Sequence, residues 1–282
     1  MDGVPLHETL LSPRLLVLTL GGDGIPTSYG ANCVAVAGDR ATLVVDPLIA
    51  PAHARLVGEA LERRGFPPVE VVVLTHHHTD HALGASWFAA RGARVVAHRF
   101  CAEAMAAQHP GLVAERRAMP ALSALFADAD PHAPSLLFDE THEVDLGGLT
   151  AQVRRAGPAH TPGDAVVIVP SERTVVCGDL VSVGYHFNYE EAEPAALAAS
   201  LRALAALPAD RFVPGHGPTG GPEIIAAQTS YHEEAARIVA ASRTPEAARA
   251  ALRARFPGYQ LEMAIESAIA RLAPSPTRSP RG

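Results

Sequence analysis

The sequence predicts an α/β protein of mixed β-sheets covered by helices. Three observations carry that expectation. Apolar, β-branched stretches alternate with helical ones from residue 51 onward. Two early strands are separated only by Gly38 and Asp39, as in a hairpin. The run "VEVVVLT" at 69–75 is apolar and β-branched, as expected of a strand buried on both faces.

In chain order, "RLLVLTL" (14–20), "CVAVAG" (33–38) and "ATLVVD" (41–46) read as strands. "PAHARLVGEALERRG" (51–65) has helical spacing and a glycine stop. After the 69–75 strand, "ALGASWFAARG" (82–92) reads as a helix and "ARVVAH" (93–98) as the next strand, completing a β–α–β unit. Residues 99–138 are Ala-rich, helical in tendency and interrupted by prolines, and are expected to form an inserted helical segment able to act as a lid. Strands resume at 149–157, 165–170, 173–178 and 211–215, with a helix at 194–207 between the last two. Beyond Pro222 the chain is helical, and Thr244-Pro245-Glu246 is a helix start. The expected organisation is a catalytic domain over 1–225, helices over 226–272 packed on it, and a disordered tail over 273–282.

Composition narrows the function classes. The 282 residues suit one large domain with a small appendage, and 48% hydrophobic content allows a sizeable core. A net charge of −7 gives no pull toward a phosphate backbone, so nucleic acid is not an expected partner. Every one of the 23 basic residues is arginine, which excludes lysine-based covalent chemistry. The three cysteines, Cys33, Cys101 and Cys177, form neither a disulfide framework nor a Cys-x-x-Cys zinc motif. Cys177 alternates in phase with Asp179 but is read as a core residue. With no signal peptide pattern and no membrane-length apolar run, a cytoplasmic protein acting on a small molecule is expected. The oligomeric state is left open, a homodimer included.

The chemistry concentrates after the 69–75 strand, where "HHHTDH" places four histidines and an aspartate in six positions. His76 and His78 can converge on one metal ion, while Asp80 and His81 face a second point. Neutral imidazole and carboxylate suit borderline divalent metals such as zinc, and also iron or manganese. Three further donors each follow a strand and adjoin or lie near glycine: His160 in "GPAHTPGD", Asp179 in "VVCGDL" and His216 in "FVPGHG".

His76-x-His78-x-Asp80-His81 followed by His160, Asp179 and His216 resembles the metallo-β-lactamase-fold hydrolases over roughly residues 15 to 220. Asp46 in "LVVDPL" matches the family's strand-end aspartate, which orients the ligand loop. Asn32 sits where the first hairpin usually carries a polar residue. The resemblance implies an αββα sandwich of two mixed sheets with a two-metal site in the cleft. His76, His78 and His160 would form one site and Asp80, His81 and His216 the other, with Asp179 bridging. Zinc is the first choice of metal.

Two dications a few ångströms apart can share a water and bring its pKa toward neutrality, giving a hydroxide that attacks a carbonyl. Asp80 is the expected orienting and proton-shuttling residue. Asp179 stands where the commonest true β-lactamases of this family have cysteine, and so favours the glyoxalase II-like and lactonase-like branches, which open thioesters, lactones and esters. The alternatives are a mononuclear-iron persulfide dioxygenase of the same fold and a β-lactam or phosphodiester hydrolase. Glyoxalase II enzymes hold glutathione carboxylates with basic residues near the C-terminal helices; Arg249, Arg253 and Arg255 lie in that region, but are read as a solvated basic face. Tyr185, His186 and Asn188, in the loop after Asp179, are candidates to contact substrate. His77 is assigned no ligand role.

Overall fold

The structure, a computed structural model, describes residues 4–273. Strands β1 (His7–Ser12), β2 (Leu15–Thr19), β3 (Asn32–Ala37) and β4 (Thr42–Val45) form an antiparallel meander. Helix α1 (Pro51–Arg63) leads to β5 (Val69–Val73). Two short helices, α2 (Thr79–Ala82) and α3 (Ala85–Ala89), precede β6 (Arg94–His98), and α4 (Arg99–Ala118) precedes β7 (Leu136–Phe138). Strands β4 to β7 pair in parallel, giving a seven-stranded mixed sheet in simple sequential order. A second sheet has the order β12-β11-β10-β9-β8, from β8 (Thr141–Asp145), β9 (Thr150–Arg155), β10 (Ala165–Val169), β11 (Thr174–Val176) and β12 (Arg211–Val213). Helix α5 (Pro194–Ala205) connects β11 to β12. Helices α6 (Pro222–Ala241), α7 (Pro245–Arg255) and α8 (Ala264–Leu272) close the chain.

Strand alternation explains the layering. In β2 and in β5 with its continuation, Leu15, Val17, Val71 and Val73 face the second sheet, meeting Val153, Val167 and Val176. Their neighbours Leu16, Leu18, Val72 and Leu74 face the helices, meeting Val57, Leu61, Phe88 and Met105. Both faces of these strands are therefore apolar, as a sheet covered on both sides requires. The outer face of the second sheet is covered by α5 and by α6 to α8 through Leu197, Leu201, Tyr231 and Leu252. The result is the expected αββα sandwich.

Several elements differ from the sequence reading. The 82–92 helix is two short helices around Gly84. A Cβ there would lie 2.0 Å from the carbonyl oxygen of Pro47, so the backbone passes too close to the loop after β4 for any side chain. The 99–138 segment is one helix, α4, then turns and the edge strand β7 rather than helical throughout. Strands β1, β7 and β8 were not anticipated. β1 and β8 are largely solvated, so neither presents a clear apolar alternation. The N-cap at Thr244 is as expected, its hydroxyl accepting from the Ala247 amide at 3.2 Å. Helix α6 runs through residues 225 and 226. The expected tail lies, apart from Ala273, outside the described residues.

Candidate metal centre

Each candidate ligand sits just beyond the carboxyl end of a strand, where the backbone is free to turn. His76 to His81 follow β5, Asp179 follows β11 in a tight turn, His216 follows β12, and His160 lies in the loop joining β9 to β10. The two sheets meet here, with the Ala165 amide donating to the Thr75 carbonyl at 2.7 Å. Gly215 allows the closest approach: a Cβ would fall 1.8 Å from Asp179 Oδ1.

All seven expected ligands converge. His76, His78, His160 and Asp179 form one group, and Asp80, His81 and His216 another. In the first, His78 Nδ1 is 3.0 Å from His160 Nε2, and Asp179 Oδ2 is 3.8 Å from His76 Nε2 and 3.6 Å from His160 Nε2. In the second, His81 Nε2 is 3.3 Å from His216 Nε2 and 3.5 Å from Asp80 Oδ2, and His216 Nε2 is 3.4 Å from Asp80 Oδ2. Asp179 reaches this group too, at 3.2 Å from His81 and 3.3 Å from His216. Tetrahedral zinc with bonds of about 2.0–2.1 Å would separate its donors by about 3.3–3.4 Å. The observed spacings bracket that edge length, so the residues fit a metal pair sharing Asp179.

The hydrogen bonds behind the ligands fix which nitrogen faces inward. Asp46 accepts the Thr75 amide at 2.8 Å and the Thr75 hydroxyl at 2.6 Å. The hydroxyl has spent its only proton, so it accepts from His76 Nδ1 at 3.0 Å, leaving the His76 Nε2 lone pair free. Asp46 also takes His81 Nδ1 at 3.0 Å, and the Tyr29 carbonyl takes His216 Nδ1 at 3.0 Å. His81 and His216 thus also turn Nε2 inward. His76 Nε2 and Asp179 Oδ1 are buried without a hydrogen-bond partner, as atoms reserved for a cation would be.

The electrostatics agree. Burial lowers His76 well below the usual histidine range, with His81 adding to it. Burial and His160 lower His78 to about 3. These two present neutral, metal-ready imidazoles. Burial opposes the charged forms of His81 and His216, but the carboxylates of Asp179 and Asp80 outweigh it, raising His81 well above the ordinary value and His216 to about 9. Burial likewise opposes Asp179 and is outweighed by His216 and His81. A site that draws protons onto histidines in this way has an excess of buried negative charge, which cations would neutralise.

Asn32 braces the His216 loop, its Nδ2 donating to the carbonyls of Pro214 at 2.9 Å and Gly217 at 2.8 Å. Sequence reasoning missed Asp164. Its carboxylate accepts from the amides of Ala159, His160 and Thr161 and from the Thr161 hydroxyl, folding the loop that presents His160. The signal was in "HTPGD": Thr161 and Asp164 three apart around Pro-Gly. His77, given no role, is buried with Nε2 3.3 Å from Glu191 Oε1, and Glu191 also accepts from Gln108 at 3.1 Å.

The centre opens into a cavity of about 470 Å³ lined by Asp80, His216, Tyr29, Arg116, Asn188 and Met263 among others. Of the three expected substrate contacts, only Asn188 lines it. The Tyr185 hydroxyl donates to the Gly22 carbonyl at 3.1 Å, on another cleft. His186 is buried with Nδ1 3.0 Å from the Tyr231 hydroxyl, beside Phe256 and Tyr259. Both are placed by extended pairing of this loop with Gln260, which turns successive side chains to opposite faces and neither of these two into the cavity. Cys177 is a buried core residue whose thiol burial pushes up.

The profile of the Metallo-beta-lactamase superfamily matches residues 26–216. Over 202 residues the chain is 33% identical to hydroxyacylglutathione hydrolase of Acidiphilium cryptum (strain JF-5), covering 71% of this chain and 69% of that protein. Over 189 residues it is 30% identical to 2,4-dinitroanisole O-demethylase subunit alpha of Nocardioides sp. (strain JS1661), covering 65% of this chain and about half, 51%, of that relative. Among solved structures, a metallo-beta-lactamase from Pontibacter korlensis superposes with a TM-score of 0.65 at 21% identity, covering 81% of this chain and 99% of that one. FIM-1 from Pseudomonas aeruginosa, in its mono-zinc form, gives 0.66 at 21% identity over 83% and 98%. At these identities the superpositions speak for the fold. No helix among the described residues is long and apolar enough to cross a membrane.

Proposed function

From the chain's membership of the metallo-β-lactamase superfamily, to which it belongs, we propose that it is a two-metal hydrolase of small-molecule thioesters, with lactones and esters as related substrates. The observation that carries this is the pair of complete donor sets joined at Asp179. A mononuclear iron oxygenase would need only part of that set. Thioesters come first because the relative at 33% identity is named for hydroxyacylglutathione, itself a thioester.

His76, His78 and His160 would hold one ion and Asp80, His81 and His216 the other, with Asp179 touching both. When bound, two divalent ions, zinc by preference, supply Lewis acidity that acidifies water and polarises a carbonyl. The protein does the rest. Asp46, Thr75 and Tyr29 hold the imidazoles in one tautomer. Asp80 is placed by Ser28, whose hydroxyl donates to its carbonyl at 2.9 Å, and its carboxylate orients the attacking water and takes its proton. Water adds to the acyl carbon, the C–S or C–O bond breaks, and the proton passes to the departing thiolate or alkoxide.

The test is metal content and turnover on one sample. Protein purified without added metal should hold about two zinc ions per chain and hydrolyse members of a thioester, lactone and ester panel, with both properties impaired in His76→Ala. About one iron per chain, no hydrolysis, and oxygen uptake with glutathione persulfide would overturn the proposal.

A further inference from the structure

The arginines divide sharply by partner. On the C-terminal helices, Arg249 pairs with Glu266 at 2.5 Å, Arg253 with Glu262 at 2.8 Å and Arg255 with Glu234 at 2.9 Å. Those three are the basic residues that the sequence put near the expected substrate region, and each is engaged within the protein. At the end of α4, Arg117 is also engaged, donating to the carbonyls of Phe126, Ala127 and Ala129.

Arg116 is different. Among the described residues it is the single arginine lining the cavity over the metal centre. Its side chain makes no ion pair or hydrogen bond among the described residues, and its Nη1 is buried without a partner. The guanidinium carbon lies over the Phe126 ring, 5.1 Å from its centroid, a cation–π contact that uses none of its donors. Burial works against its charge, and the nearby Tyr29 and Asp80 offset this only in part. The side chain is half-buried, and a buried N–H left without an acceptor is costly to a fold.

The carboxylates around the cavity do not fill the gap. Asp80 faces His81 and His216, and Asp179 faces His76, His81, His160 and His216. Glu191 is taken by His77 and Gln108, and Glu266 by Arg249. Glu190 is exposed. The missing partner therefore comes from outside, and a planar fork of N–H donors matches a carboxylate.

We propose that Arg116 anchors a carboxylate of the substrate, so that the enzyme selects anionic thioesters and esters over neutral ones. This rests on the hydrolase function above and adds the substrate's charge to it.

The experiment uses zinc-loaded full chain and matched probes. One thioester carries a free carboxylate in its acyl part (the phenyl thioester of succinic acid) and a second in its leaving group (acetyl thioglycolate). Each is compared with its methyl-ester-capped counterpart. The better carboxylate probe should exceed its capped form in kcat/KM by about tenfold or more. In Arg116→Met that ratio should fall toward one, chiefly through KM, and Arg116→Lys should retain part of it. Zinc content and melting temperature report whether the variants fold. Calorimetric titration with succinate provides a readout without turnover: binding should weaken about tenfold or more in Arg116→Met. Hydrolysis with the same carboxylate preference in wild type and Arg116→Met overturns the anchor and leaves the hydrolase standing. Arg116-dependent succinate binding without hydrolysis of any probe overturns the hydrolase and keeps the anion site.

Discussion

The two walls of the cleft are built to opposite rules. On the ligand wall the nitrogens behind His76, His81 and His216 are tied, while His76 Nε2 and Asp179 Oδ1, which face the centre, are left free. Asp46 holds Thr75 and His81, Thr75 holds His76, the Tyr29 carbonyl holds His216, Asn32 straps the His216 loop, and Asp164 folds the His160 loop. On the covering wall, made by the end of α4, the 188–191 loop and the start of α8, Arg116 has no partner among the described residues and Met263 is 69% exposed. Metal ligands must be held to a fraction of an ångström before anything binds, so the protein supplies their second contacts itself. Groups that recognise a substrate gain from being left open, because the substrate brings their partner.

The largest break in that contrast comes from the atom shared by both metal groups. Asp179→Asn removes the one carboxylate within reach of both, and should cut turnover by about a thousandfold or more while lowering metal content. Kinetics alongside metal analysis by mass spectrometry measure both; unchanged metal and turnover would remove Asp179 from the centre. Asp46→Asn should be milder. Asp46 has φ +55, a conformation asparagine also tolerates, so the substitution changes hydrogen bonding rather than backbone. A loss of about 10- to 100-fold in metal affinity is expected, read by competition with a chromophoric chelator. Asn32→Ala, which frees only the loop behind His216, should cost about tenfold in the same assay, and an effect confined to melting temperature would show that Asn32 supports the fold and not the ligand.

The same contrast explains what the sequence made legible. Candidate ligands are histidine or aspartate at strand ends, so type and position together, with the family resemblance, pointed to the seven residues that the fold gathers. Asp46 was visible through the family resemblance, as a strand-end aspartate. Asp164 was not, because its work is done through backbone amides, which leave no mark on the residue types around it. Tyr185 and His186 misled because a polar, aromatic loop beside a ligand looks like a pocket wall, whereas pairing with Gln260 turns both away. Arg116 was invisible because its significance is a missing partner, which only the fold of the described residues shows. Among strands, β1 and β8 escaped because solvated edges carry little apolar periodicity.

The smallest expected effect tests whether the covering wall is the looser of the two. His109 on α4 donates Nε2–H to the carbonyl of His77 at 2.7 Å, tying the covering helix to the metal loop, and its Nδ1 is buried without a partner. Burial lowers its pKa from 6.5 to about 4. The folded state therefore binds this proton less readily than the unfolded chain does. Stability is intact above about pH 6.5 and is lost as pH falls from there toward about 4. Buried His53, lowered to about 4, adds to the same loss, and His232, lowered to about 3, extends it. His109→Gln should melt slightly lower than wild type at pH 7, yet lose less on going to pH 5. Hydrogen exchange at pH 5 should show α4 opening before β5. If β5 exchanged first, the ligand wall would be the weaker of the two, and the division between a tied wall and an open one would fail.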